Sequence, residues 1–308
     1  MSFSASWLAL REPHDHAARA PELTERLGDF LRRRTGSAAL RILDLACGSG
    51  STFRYLAPRI GGPQHWVMVD NDERLLARLA ALPMHGRDSR GMDAGADLGR
   101  KVRVESGERP DATLEAVQLD LVQDFERLPI SGVDLVTASA LLDLVSADWL
   151  DRLVTEVTGV TGVSGTRVGG PALLLALSYD GSMNWQPVLP DDWWVETLFN
   201  RHQLTDKGFG AALGPAAAAE AARRLGDAGF LVLQAPSPWR LGPIDGALQR
   251  ELAGRMVTAL ADHFRDDADR LLRWRDERLA FIATGGSALV LGHTDLLALP
   301  PGSSGHRF

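Results

Sequence analysis

Ile42-Leu-Asp-Leu-Ala-Cys-Gly-Ser-Gly50 is the stretch whose reading decides the fold. Leu40–Leu45 is an apolar run of strand length, and it ends at a Gly-rich loop. Ser51–Arg59 follows with helical spacing and stops near Pro58. A strand, a glycine loop and a helix in that order place backbone N–H groups at a helix start, where a ligand can be approached closely. Gly48 and Gly50 have no side chain to block that approach, and Ala46 is nearly as small. About twenty residues later Asp70 ends a second apolar run, Trp66–Val69, where its carboxylate is placed to accept hydrogen bonds from both hydroxyls of an adenosine ribose.

Outward from this loop, strand and helix alternate, the signature of a parallel sheet covered by helices on both faces. Leu75, Leu79 and Leu82 share a helix face. Leu114–Leu119 and Val133–Ala138 read as the third and fourth strands. Ser146 is placed to cap a helix carrying Leu150, Leu153, Val154 and Val157 at i, i+3, i+4 and i+7. Leu173–Leu177 reads as a fully buried fifth strand. Pro215 opens an Ala-rich helix that Gly229 ends, Phe230–Gln234 is a sixth strand, and Ala288–Leu291, running on toward Leu299, is the last. The expectation is a Rossmann-like, seven-stranded, mostly parallel α/β sheet with an antiparallel last strand.

Several segments fall outside that pattern. Residues 1–36 read as an N-terminal helical cap not needed to build the sheet of a main domain spanning 37–300. Residues 86–111, 180–214 and 243–283 read as insertions, the first polar and Gly-rich, the last one or two long helices, and 301–308 as a tail. Thr158–Gly170 is a Gly-rich connection.

Composition narrows the class. The formal charge of -7 gives a field that repels phosphate backbones, so a nucleic-acid partner is not expected. No apolar run approaches the roughly 18–20 residues of a membrane span, and Met1–Leu10 has no basic segment ahead of its apolar residues as a secretory signal does. The single cysteine, Cys47, excludes an internal disulfide and a Cys-based zinc cluster. A cytoplasmic enzyme without a metal is the expectation. Nothing in the chain speaks to its oligomeric state.

The motif at 42–50 resembles motif I of the class I S-adenosylmethionine-dependent methyltransferases, with Asp44 as its acidic residue and Ala46 in place of the first glycine. A dinucleotide fingerprint G-x-G-x-x-G needs a third glycine where this chain has Phe53, which separates the two readings. The resemblance implies S-adenosylmethionine as cofactor, held by Asp44, Ala46, Cys47, Gly48, Ser49 and Gly50. It continues with Asp70 and Asn71 at the ribose, and with Asp120 and Leu121 in Gln118-Leu-Asp-Leu121 at the adenine. Ser139-Ala-Leu-Leu-Asp-Leu-Val145 occupies the place where the family lines the methyl-transfer site, and Gly229-Phe230 opens the sixth strand as the family often does. Trp7-Leu-Ala-Leu-Arg-Glu-Pro13, Asp206-Lys-Gly-Phe-Gly210 with Leu213-Gly-Pro215, and Gly292-His-Thr-Asp-Leu-Leu-Ala-Leu-Pro300 resemble a bacterial subgroup of these enzymes, which hands over no substrate.

The expected activity is therefore methyl transfer to an O, N or C nucleophile of a small, apolar or aromatic molecule. Two candidates for a general base are His202, in Asn200-Arg-His-Gln203, and Asp143. Trp185, Trp193, Trp194 and Phe199 read equally well as packing for their insertion or as a lid over the acceptor. Cys47, inside the cofactor loop, is read as packing rather than as a nucleophile. A nicotinamide or flavin oxidoreductase, and an S-adenosylmethionine-binding protein without catalysis, are the competing readings.

Overall fold

The computed structural model describes residues 4–79, 100–104, 112–159 and 170–302. Two helices, α1 (Ala5–Ala18) and α2 (Pro21–Thr35), precede the first strand. The alternating part follows as β1 (Leu40–Leu45), α3 (Ser51–Ile60), β2 (Gln64–Asp70), α4 (Glu73–Leu79), β3 (Arg100–Val104), β4 (Ala112–Gln118), β5 (Leu135–Ser139) and α5 (Ala147–Gly159). The second half comprises β6 (Ala172–Gln186), α6 (Asp192–Gln203), α7 (Ala217–Asp227), β7 (Leu231–Pro236), β8 (Trp239–Leu241), α8 (Gly246–His263), α9 (Ala268–Ala283) and β9 (Ala288–Leu299).

The sheet order is β3-β4-β2-β1-β5-β6-β9-β7, with β8 also paired to β9. Strands β4, β2, β1, β5 and β6 run parallel, and β9 inserts antiparallel between β6 and β7. This is the expected mostly parallel sheet with an antiparallel last strand. Among the described residues it has nine strands rather than seven, because β3 adds an antiparallel edge beside β4 from within the 86–111 stretch and β8 adds a short strand on β9. Strand order reverses at β1, whose parallel neighbours β2 and β5 lie on opposite sides. A crevice at the carboxyl edge of such a switch point is where open α/β sheets bind ligands.

Alternation along β1 builds the two faces. Leu43 and Leu45 enter one core with Trp149 and Leu153 of α5 and Ala221 and Leu225 of α7. Leu40 and Ile42 enter the other with Leu27 and Leu31 of α2 and Leu56 and Ile60 of α3. Helix α2 is thus part of the main domain's outer layer: Leu27 and Leu31 are fully buried, and Asp295 of β9 holds Arg19 and the Ala20 N–H at 3.0 and 3.1 Å.

Strand β6 does not stop at Leu177. It runs on to Gln186 as a bulged antiparallel ribbon with β9, because Asp295 accepts the Leu177 N–H at 2.8 Å and the pairing resumes at Ser178 and again at Met183. Beyond the sheet edge this ribbon carries a third core, in which Met256, Leu260 and Trp274 of α8 and α9 close over Trp185, Leu198 and Trp7. The predicted cap at Ser146 is present, its Oγ accepting the Trp149 N–H at 3.2 Å. Most of 86–111, the inner part of the 158–170 connection and residues 303–308 lie outside the described residues.

Candidate active site

A cavity of about 270 Å³ opens at the carboxyl edge of β1, β2, β4 and β5. One end is built by the loop after β1, by Asp70–Asp72 after β2 and by Leu119–Val122 after β4. The other is built by Leu8, Arg11 and Asp15 of α1, by Ser139–Leu141 and Leu144 after β5, and by Lys207–Phe209.

The loop end is shaped by backbone. Gly48 has φ +55°, and a Cβ there would stand 3.2 Å from the Leu8 Cδ1 of α1, inside the cavity wall. Asp70 grips the loop from the neighbouring strand: its Oδ2 accepts the Gly48 N–H at 2.8 Å and its Oδ1 the Asp72 N–H at 2.9 Å. Burial raises the Asp70 carboxyl above its usual range, and those two N–H groups pull it partly back. Asp120 is fixed the same way, its Oδ1 accepting from the N–H of Val122 and of Gln123 at 2.8 and 3.0 Å. Ala46 and Ala140, which follow the adjacent strands β1 and β5, both line the cavity with φ near +50°. Non-glycine residues in that region store strain, and such strain gathers at binding sites.

Helix α3 begins at Gly50, which offers no side-chain cap to the first N–H groups. Helix α1 closes over that start: His16 Nε2 lies 3.1 Å from Ser51, and Arg54 joins the Ser49 carbonyl to Glu12 through a bidentate ion pair. Phe53, where a dinucleotide motif would need glycine, is buried edge-on against Trp66 at 5.3 Å.

No family model matches the chain, and neither does any curated protein. Solved structures of similar fold do exist. A cyclopropane-fatty-acyl-phospholipid synthase-like protein from Lactobacillus casei is 14% identical at a TM-score of 0.44, over 94% of this chain and 99% of its own. The YcgJ protein from Bacillus subtilis is 15% identical at a TM-score of 0.43, over 90% and 98%. A SAM-dependent methyltransferase from Thiobacillus denitrificans, in complex with S-adenosyl-L-homocysteine, is 16% identical at a TM-score of 0.38, over 96% and 99%. Likeness this distant transfers neither substrate nor activity to this chain.

The structure brings Ala46, Cys47, Gly48, Ser49, Asp70, Asn71, Asp120, Leu121 and Ser139 together on the cavity wall. Two residues expected beside them stand back. Asp44 is completely buried under the sheet, neither oxygen has a hydrogen-bond partner, and burial raises its carboxyl well above the usual range against the pull of Arg19. Gly50 is the helix cap rather than wall, and a Cβ there would strike Leu79 at 2.6 Å. The Cys47 thiol is held protonated, raised first by burial and then by Asp44 and Asp70, as suits a packing residue rather than a nucleophile.

The acceptor end departs further from expectation. His202, on α6, does not reach the cavity. It sits behind Lys207, whose Nζ is 3.2 Å from its Nδ1, and burial followed by the charges of Lys207 and His263 pushes its pKa down to about 4. An imidazole so weakly basic is a poor proton acceptor near neutrality. Asp143 stands just behind the wall, between Leu142 and Leu144 in a 3-10 turn, with Oδ1 unpartnered. Its burial raises the carboxyl to about 6, opposed by N–H groups of Asp143 and Tyr179 and by Arg11 and Lys207.

Three of the four rings in the aromatic segment pack against the protein, and the fourth is exposed. Trp185 is buried against Trp274, Trp194 lies under the Arg270 guanidinium, Phe199 meets Tyr179 edge-on, and Trp193 is 76% exposed. None of the four lines the cavity, whose aromatic wall among the described residues is Phe209. Sequence reasoning missed Leu8, Arg11, Asp15 and the pair Lys207 and Phe209. Four of these five, all but Asp15, fall in the strings Trp7–Pro13 and Asp206–Gly210, to which the sequence alone assigns no role. The rarity of lysine, present only at 101 and 207, was the available signal for Lys207.

Proposed function

We propose that this chain transfers the methyl group of S-adenosylmethionine to an O, N or C nucleophile of a small molecule. One observation supports this most: three consecutive parallel strands end in the strained loop 46–49, Asp70 and Asp120, all facing one cavity beside an uncapped helix start. The donor set fits the cofactor. Asp70, fixed by two backbone N–H groups, would accept from the ribose hydroxyls, and Asp120, fixed the same way, would accept from the adenine amino group. Gly48 leaves room for close approach, and Asn71 and Leu121 flank the nucleoside.

When bound, the cofactor supplies a sulfonium-activated methyl group for in-line displacement. The protein's work is then to position the acceptor, exclude water and take a proton where the acceptor carries one. Leu8, Leu141, Leu144 and Phe209 exclude water at the acceptor end. Neither candidate lines the cavity; Asp143, just behind the wall between Leu142 and Leu144 with a carboxyl near 6 and Oδ1 unpartnered, is the better-tuned base, since His202 is too weakly basic. Isothermal titration tests the reading. S-adenosylmethionine and S-adenosylhomocysteine should bind with micromolar dissociation constants and NAD should give no heat. Heat from NAD with none from either sulfur ligand overturns it.

A further inference from the structure

The stretch Asp206-Lys-Gly-Phe-Gly210 is a built turn rather than a loose loop. The Asp206 Oδ1 accepts the N–H of Gly208 at 2.7 Å and of Gly210 at 3.0 Å. Gly208 and Gly210 have φ of +101° and +89°, conformations that favour glycine and that fold the turn back on itself. Bridges from Asp206 to Ala211 and from Ala212 to Ser146 tie it to the start of α5. The consequence is that Lys207 and Phe209 both face the cavity.

Lys207 is 6% exposed. Its Nζ donates to the His202 carbonyl at 2.8 Å and to Thr205 Oγ1 at 2.9 Å, and it lies 3.2 Å from the neutral His202 ring. All three partners are uncharged, and among the described residues Lys207 has no ion pair. The only carboxylate that acts on it is Asp143, buried behind the wall and in no hydrogen bond or ion pair with it among the described residues. A buried ammonium without a direct counter-ion is costly, so a site that keeps one is shaped for a ligand of opposite sign. The other cation on the wall is different. Arg11 is already answered by Asp15, which it holds through two bonds of 2.8 and 3.1 Å. At the far end Asp70, Asp72 and Asp120 repel an anion.

We propose that Lys207 anchors the carboxylate of the methyl acceptor, while Phe209, Leu141 and Leu144 hold its apolar or aromatic body. The acceptor class is thus an apolar carboxylic acid. A single ammonium suits a monoanion, whereas a phosphate dianion calls for several cations or a guanidinium fork. The assignment rests on the methyltransferase reading, and the cofactor's own carboxylate is the alternative source of the same chemistry.

The test uses the full chain saturated with S-adenosylhomocysteine and two matched probe pairs, benzoate with benzamide and hexanoate with hexanamide. By ligand-observed NMR each acid should bind at least about tenfold more tightly than its amide, the worth of one charge-assisted hydrogen bond. Lys207→Met should erase that preference and leave S-adenosylhomocysteine affinity within about twofold. Equal binding of acids and amides, or no binding of either acid, overturns the proposal on the wild-type protein alone, even if the variant does not fold. A tenfold loss of S-adenosylhomocysteine affinity in folded Lys207→Met assigns the charge to the cofactor and also overturns it. Failure of S-adenosylhomocysteine to bind the wild-type protein overturns the methyltransferase reading itself.

Discussion

The two ends of the cavity are made in different ways. The loop end comes from one continuous stretch, residues 40–72, plus the end of β4. Every group in it is placed by a strand terminus and fixed by backbone N–H groups, as Asp70 is by Gly48 and Asp72. The acceptor end is assembled from α1, the segment after β5 and the turn 206–210, far apart in the chain. Its charges are held by side chains, Arg11 on Asp15 and Asp15 on the Trp239 indole, with the neutral His293 behind them between the rings of Trp239 and Tyr179. A binding loop dictated by topology can be rigid from local interactions. An acceptor pocket built from distant pieces depends on the whole fold, and its titratable groups feel burial most strongly.

The largest effect expected separates the two ends by sterics. Gly48→Val adds bulk where even a Cβ stands 3.2 Å from Leu8, at a positive φ, and should weaken S-adenosylmethionine about a hundredfold or more. Benzoate binding, if the acceptor end is independent, should change little. Equal loss of both in a folded variant would make the cavity one unit.

Asp143→Asn comes next. With an acceptor in hand, turnover should fall by about a hundredfold while cofactor affinity holds. Stability should move the other way. The folded carboxyl is raised from 3.8 to about 6, so the folded state holds that proton more tightly than the unfolded chain. Its contribution is full below pH 3.8 and is lost as pH rises through about 6, a penalty of up to about 3 kcal/mol at pH 8. The variant should therefore melt higher than wild type at pH 8, with the gain vanishing toward pH 4. Unchanged turnover, or a lower melting temperature at pH 8, would remove Asp143 from this role.

A smaller effect concerns His293. Burial and then Arg11 depress it from 6.5 to about 3, so its imidazole is neutral in the fold. Stability from this group is full above pH 6.5 and falls as pH drops toward 3, by at most about 1.4 kcal/mol per pH unit. His293→Gln should flatten part of the acid limb of a melting-temperature profile between pH 7 and 5. An identical slope in the variant would place the acid sensitivity elsewhere, with His202, also depressed, the next group to replace.

Legibility in the sequence followed the same division. Strand β1, its loop and Asp70 could be read because a period, a glycine pair and a strand-terminal carboxylate occur within one short stretch, and the observed β1 has the expected bounds. The two extra strands could not: β8 is three residues long, and β3 is polar and has meaning only against β4. Asp44 looked like a binding residue because its position in the motif says nothing of which face of the strand it takes. In the fold it is completely buried within the sheet, near Arg19 and Asp70, and does not line the cavity. The tryptophans of 185–194 read equally as packing or as a lid; in the fold Trp185 and Trp194 fill the third core on the β6–β9 ribbon and Trp193 faces solvent. Lys207 is the converse, a single cation whose surroundings are set by a turn and by neutral hydrogen-bond partners that no sequence pattern announces.

The central claim, that S-adenosylmethionine is held at the end of β2 by Asp70, is tested most directly by titrating S-adenosylhomocysteine into wild-type protein and into Asp70→Ala. A carboxylate bonded to ribose hydroxyls contributes about 1.5–3 kcal/mol, so the variant's dissociation constant should rise roughly ten- to a hundredfold from a micromolar wild-type value. An unchanged affinity in a variant with wild-type circular dichroism would contradict the account and put the ribose elsewhere.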